Sequence, residues 1–214
     1  ACDDAGAVRV DALDHAVALA QARDAVVLGP GLTQRAGAAL FVDGFLRAHV
    51  ATPLVLDADG LNNVAANAEE LFTLANRCII VTPHPGEAAR LLGTTTQAVQ
   101  ADREGAARAL VALGAEVAVL KGHETLVASA DGRVARNTTG GHGLAKGGSG
   151  DVLAGLIGGL LAQGMAPFDA ACLGVYVHGL AGDRAQARHS ARAMLARDVL
   201  DALGEAWLSV EAAA

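Results

Sequence analysis

The sequence has few cysteines and few aromatic side chains, and each shortage excludes a class of protein. The three cysteines, Cys2, Cys78 and Cys172, are odd in number and form no CxxC pair, which argues against a disulfide framework or a zinc site. Only six of the 214 residues are aromatic, and the formal net charge is −7. A nucleic-acid surface needs basic patches and stacking rings, so we expect no nucleic-acid partner.

Long apolar runs and a basic N-terminal region followed by an apolar core are also lacking. No run of 18 apolar residues occurs, which predicts neither a membrane span nor a signal peptide. The cysteine usage suits a reducing compartment, and we expect a cytoplasmic protein. The length of 214 residues suits one domain with a sizeable core.

Lysine is scarce as well. Fourteen of the sixteen basic residues are arginine, and the two lysines, Lys121 and Lys146, both lie in glycine-rich motifs. A compact ammonium group suits a phosphate where a planar guanidinium would not fit. This distribution predicts that the lysines contact a phosphate or the edge of a ligand, with coincidence as the alternative for at least one of them.

Short apolar runs alternate with helical patterns along most of the chain, which predicts an α/β fold with a mostly parallel sheet. Two extended pieces around Asp131-Gly132 predict a β-hairpin between Thr125 and Arg136. The four other predicted strands lie near Ala25–Gly29, Pro53–Asp57, Cys78–Thr82 and Val117–Lys121. The predicted helices are Arg35–His49, Asn67–Leu74, Gly86–Leu92, Thr96–Leu113, Gly150–Gln163, Pro167–Ala187 and Ala191–Val210.

Unusual residues follow the first two of these strands, at the sheet edge where open α/β folds bind ligands. The glycines of Gly29-Pro30-Gly31 would let a ligand approach the backbone closely, or form a tight turn. Asp57, Asp59 and Asn62 follow the second strand. Asp59 is either a site residue or the N-cap of a helix.

Two prolines flank His84 after the third strand and hold it in an extended conformation. A single histidine is more often structural, but this placement favours a ligand contact for His84. Glu87 opens the next helix. Its carboxylate could serve the helix dipole or bind magnesium through water.

The strongest signal is the segment from Asn137 to Asp151, which leads directly into an apolar helix. Six glycines within twelve residues allow backbone N–H groups to wrap a phosphate, and the helix N-terminus adds partial positive charge. The segment matches neither GxxxxGK[ST] nor a GxGxxG after a strand. Asp151 directly follows the glycines, where a carboxylate would act as a general base for phosphoryl transfer; the alternative is an acid favoured by the helix dipole.

Taken in order, these motifs resemble the NAD(P)H-hydrate dehydratase family, the carbohydrate-kinase-like part of the nicotinamide nucleotide repair enzymes. The matching segments are 29–32, 57–62, 82–87, 121–125, 137–151 and 174–179. The resemblance implies a ribokinase-like three-layer sandwich, in which helices cover both faces of a mostly parallel sheet. It implies that Gly31, His84 and Asp151 contact the hydrated nicotinamide nucleotide. The residues expected to bind the adenine nucleotide are Lys121, Gly122, His123, Glu124, Thr125, Gly147, Gly148, Ser149 and Gly150.

The implied reaction is the ADP- or ATP-dependent dehydration of (6S)-NAD(P)HX to NAD(P)H. Asp151 would take the proton of the ring hydroxyl as that oxygen attacks the terminal phosphate, and phosphate would then leave. Mg²⁺ is implied by the neighbouring phosphates, without a metal site made wholly of protein ligands. The sequence does not distinguish ADP from ATP, or NADHX from NADPHX. The resemblance further implies a homo-oligomer, with a tetramer as one candidate, and association with an NAD(P)HX epimerase domain.

One part of the family pattern is not found in the sequence. Family members carry an upstream strand and helix with a glycine-alanine substrate motif, so we expect one domain over residues 1–214 that lacks its first strand–helix unit. Such a domain would leave a sheet edge or a core face uncovered. Two other functions stay open: a ribokinase-like kinase for an alcohol such as a sugar, a hydroxymethylpyrimidine or a thiazole precursor, and an inactive nucleotide-binding module.

Overall fold

A single six-stranded sheet organises the protein. The computed structural model describes residues 2–48, 50–74 and 78–212. The strands are β1 (Val26–Leu28), β2 (Leu54–Leu56), β3 (Ile79–Val81), β4 (Val117–Leu120), β5 (Leu126–Ser129) and β6 (Val134–Arg136), and they lie in that order across the sheet. Strands β1 to β4 run parallel, and β5 and β6 are antiparallel additions. The mostly parallel sheet is confirmed.

The parallel strands are short apolar runs because both faces of the sheet are covered. All three residues of β2, Leu54, Val55 and Leu56, are completely buried. Leu54 and Leu56 pack on one face of the sheet and Val55 on the other, as the two-residue period of a strand requires. Each of the four predicted strands contains the observed one and is longer by one or two residues.

The predicted hairpin is also confirmed. Strand β5 pairs with β6, with Val127 opposite Ala135. Gly132 closes the turn with a φ of +90°, a conformation that side chains rarely adopt. The Asp131 carboxylate accepts a hydrogen bond from the backbone N–H of Arg133 at 3.1 Å, which ties the turn together.

Helices cover both faces of the sheet and make a three-layer sandwich. The helices are α1 (Leu13–Gln21), α2 (Ala36–Arg47), α3 (Asp59–Val64), α4 (Ala68–Leu74), α5 (Pro85–Leu91), α6 (Thr96–Ala101), α7 (Arg103–Ala112), α8 (Ser149–Ala162), α9 (Pro167–Ala193), α10 (Ala196–Asp201) and α11 (Leu203–Glu211). Helices α1 to α7 pack on one face, and α8 and α9 on the other. Helices α10 and α11 pack on α9. Within the residues that the structure describes, no helix has both the length and the apolar character to cross a bilayer.

Two of the predicted helices are wrong as single elements. The predicted helix Thr96–Leu113 is divided at Asp102, whose carboxylate accepts from the N–H of Gly105 at 2.8 Å and so begins a new helix, α7. The predicted helix Ala191–Val210 is replaced by the end of α9 and by α10 and α11. Ser190, with a φ of +63°, interrupts the helical backbone near the end of α9.

Helix α9 extends to Ala193, beyond the predicted end at Ala187, and other differences lie near the N-terminal half of the sheet. Helices α1 and α3 are not among the predictions. Ala58, not Asp59, is the N-cap of α3, and Asp59 is its first residue. The predicted helix Arg35–His49 corresponds to α2, and His49 lies outside the described residues.

Candidate active site

A cation and two buried carboxylates meet where β2, β3 and β4 end. The Lys121 Nζ lies 2.6 Å from Asp57 Oδ1 and 3.9 Å from Glu87 Oε2. The Asp57 and Glu87 side chains are only 1% and 6% exposed. Buried charges persist when they are paired, so Lys121 holds together loops that lie 64 residues apart in sequence.

His84 and Glu87 form a reciprocal helix cap at the start of α5. The His84 Nδ1 accepts from the N–H groups of Gly86 and Glu87 at 2.9 and 3.2 Å. The Glu87 Oε2 in turn accepts from the backbone N–H of His84 at 2.8 Å. The alternative in which Glu87 serves the helix terminus therefore has direct support. The His84 side chain is 52% exposed, which leaves part of the ring accessible from solvent; its contact with a substrate stays a prediction.

The two glycines after β1 have different surroundings. A Cβ at Gly29 would lie 1.8 Å from the carbonyl oxygen of Asp57, so only glycine lets this loop pack against the end of β2. A Cβ at Gly31 would meet nothing within 4 Å. Gly29 therefore serves packing, and Gly31 faces open space at the same edge of the sheet.

The first turn of α8 lies directly against the Lys121 pair. A Cβ at Gly150 would lie 3.3 Å from Lys121 Nζ and 3.6 Å from Asp57 Oδ2. Gly148, with a φ of +86°, precedes the helix, and no side chain caps its N-terminus. The Ser149 N–H donates to the carbonyl oxygen of Lys146 at 3.3 Å, so the N–H groups of Gly150 and Asp151 are the ones that a ligand or water can satisfy. Asp151 is exposed in this turn.

The glycine-rich segment has two parts with different partners, which we call the front half (residues 137–143) and the back half (residues 147–151). Helix α9 holds the front half: the Gly140 N–H donates to Asp183 Oδ2 at 2.9 Å, and the Gly143 N–H donates to Gln186 Oε1 at 3.1 Å. In the back half, a Cβ at Gly147 would meet nothing within 4 Å. A Cβ at Gly148 would lie 3.2 Å from the Cβ of Ala196, so the open backbone of the back half is at Gly147.

Lys146, between the two halves, has a structural partner. Its Nζ donates to the carbonyl oxygen of Arg192 at 2.7 Å. This contact accounts for Lys146 without a phosphate. Of the two lysines predicted to contact a phosphate or the edge of a ligand, only Lys121 lies in the cluster beside Gly150.

Ser149 belongs to the back half, but its side chain is buried. Only 3% of the residue is exposed. The Nε2 of His178, on α9, lies 3.0 Å from the carbonyl oxygen of Ser149 and 3.3 Å from its Oγ. Burial lowers the pKa of His178 to about 4, despite the opposing effect of its hydrogen bond to Ser149. The ring is thus neutral at physiological pH.

The remaining predicted nucleotide contacts form the turn after β4. The Thr125 hydroxyl donates to the carbonyl oxygen of Gly122 at 3.1 Å and closes this turn. The Glu124 carboxylate pairs with Arg136 at 2.5 Å, and this hydrogen bond holds the pKa of Glu124 below its ordinary value. A cavity of about 500 Å³ opens beside the turn, with His123 and Glu124 in its lining.

Protein ligands for a metal ion are not grouped at this edge of the sheet. Across residues 2–48, 50–74 and 78–212, no three His, Cys, Asp or Glu side chains come together as a metal site. Asp57 and Glu87, the two buried carboxylates, both face the Lys121 ammonium. A divalent cation here would need most of its ligands from phosphate oxygens and water.

Sequence reasoning left three residues of this region without a firm role. Asp57 and Glu87 were noted for their positions after strands, but their partner is Lys121, which lies far away in sequence. His178 lies within the matched segment 174–179. The signal in the sequence that could indicate a role for His178 is its place on the apolar face of a helix, because a buried imidazole needs a hydrogen-bond partner.

A mostly parallel sheet between two helical layers, with a glycine-rich turn opening into a helix at the strand ends, defines the ribokinase-like class of α/β proteins. A family model described as NAD(P)H-hydrate dehydratase matches residues 5–205. The chain belongs to this family.

Two relatives named as NAD(P)H-hydrate dehydratase or repair enzymes are similar over most of the chain. The ADP-dependent (S)-NAD(P)H-hydrate dehydratase of Neisseria meningitidis serogroup B is 51% identical over 175 residues, which cover 80% of this chain and 59% of the relative. The bifunctional NAD(P)H-hydrate repair enzyme of Escherichia coli K12 is 44% identical over 183 residues, which cover 84% of this chain and 34% of the relative. The chain thus spans between about a third and three fifths of the length of these relatives.

Solved structures agree with the fold. The ADP/ATP-dependent NAD(P)H-hydrate dehydratase of Bacillus subtilis, co-crystallised with ATP/Mg²⁺, superposes with a TM-score of 0.77 at 34% identity and covers 90% of this chain and 69% of its own. A hydroxyethylthiazole kinase from Pyrococcus horikoshii has a TM-score of 0.68 at 20% identity, covering 90% of this chain and 74% of its own. The second likeness concerns the fold alone.

Proposed function

We propose that this chain carries out the adenine-nucleotide-dependent dehydration of (6S)-NAD(P)HX to NAD(P)H. The observation that carries the proposal is the meeting of three features at one edge of the sheet. These are the open back half of the glycine-rich segment, the exposed Asp151 carboxylate, and the Lys121 ammonium beside Gly150. Membership of the NAD(P)H-hydrate dehydratase family supports the same reaction.

The back half supplies the chemistry for a phosphoryl transfer. Asp151 takes the proton of the substrate's ring hydroxyl while that oxygen forms a bond to the terminal phosphorus, and the bond from this phosphorus to the nucleotide breaks. The N–H groups of Gly147, Gly148 and Gly150 stabilise the charge on the phosphoryl oxygens. Positioning and electrostatics supply most of the acceleration in such transfers.

Loss of phosphate completes the dehydration. The lone pair of the ring nitrogen expels the phosphate, which breaks the bond between carbon and oxygen. The neighbouring ring carbon then loses a proton, and the dihydronicotinamide double bond is restored. The net result is removal of one water from the substrate and hydrolysis of one phosphoanhydride bond.

Lys121 is positioned to bind a phosphate oxygen near the first turn of α8. Asp57 holds the ammonium group at 2.6 Å, and Gly150 leaves room beside it because a Cβ there would come within 3.3 Å of Nζ. An ammonium fixed in this way costs little further ordering when a phosphate arrives. We therefore assign Lys121 to the phosphates and the turn 122–125 to the remainder of the adenine nucleotide.

Magnesium would reach this site with the nucleotide. The described residues offer no three-ligand group of their own, and Mg²⁺ commonly keeps several waters while it binds substrate phosphates. The ion would neutralise phosphate charge during transfer. The relative from Bacillus subtilis was co-crystallised with ATP/Mg²⁺, which supports the same combination.

The test is incubation of the chain with NADHX, Mg²⁺ and either ADP or ATP. Recovery of the dihydronicotinamide absorbance band together with stoichiometric release of inorganic phosphate is expected, and the two donors are compared in parallel. No recovered NADH with either donor would overturn the proposal. An alcohol kinase would instead accumulate a stable phosphorylated alcohol, and an inactive module would bind nucleotide without turnover.

The wider assembly belongs to the same proposal. We propose a homo-oligomer that works together with an NAD(P)HX epimerase activity, since the relative from Escherichia coli is a bifunctional repair enzyme. Light scattering of the purified chain, alone and with an epimerase, measures both associations.

A further inference from the structure

His178 is a buried polar side chain outside the residues that the proposed mechanism uses. It lies near the middle of α9, on the side that faces α8, and is 7% exposed. Its neighbours on the same helix, Val177 and Gly179, are buried as well. Burial of an imidazole among apolar side chains lowers the stability of the fold unless its hydrogen-bonding groups have partners.

The partner of His178 is the first residue of α8. The ring Nε2 lies 3.0 Å from the carbonyl oxygen of Ser149. A carbonyl oxygen can only accept, so Nε2 carries the hydrogen and donates it. The Ser149 Oγ, 3.3 Å from the same nitrogen, is a second group at this contact. His178 therefore contacts both the backbone and the side chain of Ser149.

The contact with His178 matters because it adds a side-chain hydrogen bond to the backbone one, from the Ser149 N–H to the Lys146 carbonyl oxygen at 3.3 Å, that fixes the start of α8. The N-cap residue is Gly148, and no side chain caps the helix. The two residues after Ser149 are Gly150, which lies against Lys121, and the exposed Asp151. A rotation of the first turn would move Gly150 relative to Lys121 and would move the Asp151 carboxyl with it.

We propose that His178 is a positioning residue that sets the first turn of α8 for phosphoryl transfer by donating a hydrogen bond to the Ser149 carbonyl. The inference rests on the proposed function. His178 does not touch the substrate or the nucleotide. It acts through Ser149 on the N–H of Gly150 and on Asp151.

The experiment compares two amides that differ in reach. In His178→Gln the terminal NH₂ can occupy the place of Nε2 and donate to Ser149, whereas in His178→Asn the shorter side chain cannot reach it. Misplacement of catalytic groups by about 1 Å can cost about 100-fold. We expect His178→Asn to lower kcat by roughly 10- to 100-fold with KM for ADP within about threefold, and His178→Gln to stay within about threefold of the wild-type kcat. If the asparagine variant does not fold, His178→Leu, which fills the ring volume without a donor, replaces it with the same expected result.

Val177→Ala is the matched control, because it removes buried methyl groups one residue away and leaves the contact with Ser149 in place. This variant should melt at a lower temperature and keep its kcat. An unchanged kcat in His178→Asn, or equal losses in the glutamine and asparagine variants, would overturn the positioning role. A wild-type chain without any turnover would instead contradict the proposed function, and the inference would fall with it.

Discussion

The two halves of the glycine-rich segment use the same residue type for opposite purposes. The front half is covered by α9: a Cβ at Gly140 would lie 3.1 Å from the Cα of Gly179, and the Gly140 N–H is already bound to Asp183. The back half leaves space around Gly147 and an uncapped helix start at Gly148. Glycine in the front half permits close packing, and glycine in the back half leaves N–H groups free for an anion.

The front half therefore contributes mainly to stability and the back half mainly to function, although the two halves are separated by only a few residues. Substitutions in the front half should act on the free energy of unfolding, because they disturb a packed contact. A substitution at Gly147 in the back half should act on nucleotide binding and turnover, because a Cβ there would meet no protein atom within 4 Å.

The largest expected effect is the loss of the proposed base in the back half. Asp151→Asn removes the proton acceptor and keeps the shape of an exposed side chain, so we expect an unchanged melting temperature. The kcat for NADHX dehydration should fall by about 10²- to 10⁴-fold. Steady-state assays at saturating ADP measure this loss, and an unchanged kcat would remove Asp151 from the role of base.

Asp183→Asn, on α9 where it contacts the front half, is the matched control. The same chemical change is made at the carboxylate that accepts from the Gly140 N–H, and the asparagine oxygen can still accept that hydrogen bond. We expect kcat within about twofold of the wild type. A loss as large as that of Asp151→Asn would show that the two halves do not differ in function.

Two glycine-to-alanine substitutions, one in each half, should change the free energy of unfolding by different amounts. Gly140→Ala places a Cβ at a residue with a φ of +90° and against the backbone of Gly179, so urea unfolding should show a loss of about 1–3 kcal/mol. Gly147→Ala meets no atom within 4 Å, and the free energy of unfolding should change by less than about 0.5 kcal/mol.

For nucleotide binding the order of the two effects is reversed, and Gly147→Ala should have the larger one. The methyl group of Gly147→Ala would crowd the phosphate, so calorimetric titration should show a Kd for ADP about tenfold weaker, a difference of about 1.4 kcal/mol. Gly140→Ala should bind ADP with the wild-type Kd as long as it is folded. Equal losses of affinity in both variants would show that the two halves do not differ in nucleotide binding.

The contact between α9 and the back half also predicts a dependence of stability on pH. Burial lowers the pKa of His178 from the ordinary histidine value of 6.5 to about 4. Between these two pH values the imidazole is protonated in the unfolded chain but stays neutral in the folded chain. The contribution of His178 is complete above about pH 6.5 and is lost as the pH falls toward 4.

Urea unfolding of the wild type and of His178→Gln, which cannot titrate, isolates this contribution. Between about pH 7.5 and about pH 5 the wild type should lose roughly 2 kcal/mol more than the variant. Parallel pH curves for the two proteins would mean that the ring is not buried as described.

Much of the fold could be predicted from the sequence because buried parallel strands are continuous apolar runs. The observed strands β1 to β4 all lie within the predicted ones, and Asp131-Gly132 marks the hairpin. The break at Asp102 was harder to predict, because apolar residues continue on both sides of it and only the capping of Gly105 by its carboxylate divides the helix. The helices after Ser190 were joined in the prediction for the same reason.

The site could be predicted less completely, because its geometry depends on distant partners. The glycine pattern alone treats Gly140 and Gly147 alike, and only side chains of α9 separate them. The two lysines also look equivalent in sequence, yet Lys146 binds the Arg192 carbonyl while Lys121 pairs with Asp57. The substrate and nucleotide contacts assigned to individual residues stay predictions.

The most direct test of the different roles of the two halves is a titration of ¹⁵N-glycine-labelled protein with ADP and Mg²⁺, followed by NMR. We expect the amide signals of Gly147, Gly148 and Gly150 to move as ADP binds, while those of Gly140 and Gly143 stay in place. Movement confined to the front half, or bound ADP that leaves the back-half signals unchanged, would contradict this expectation.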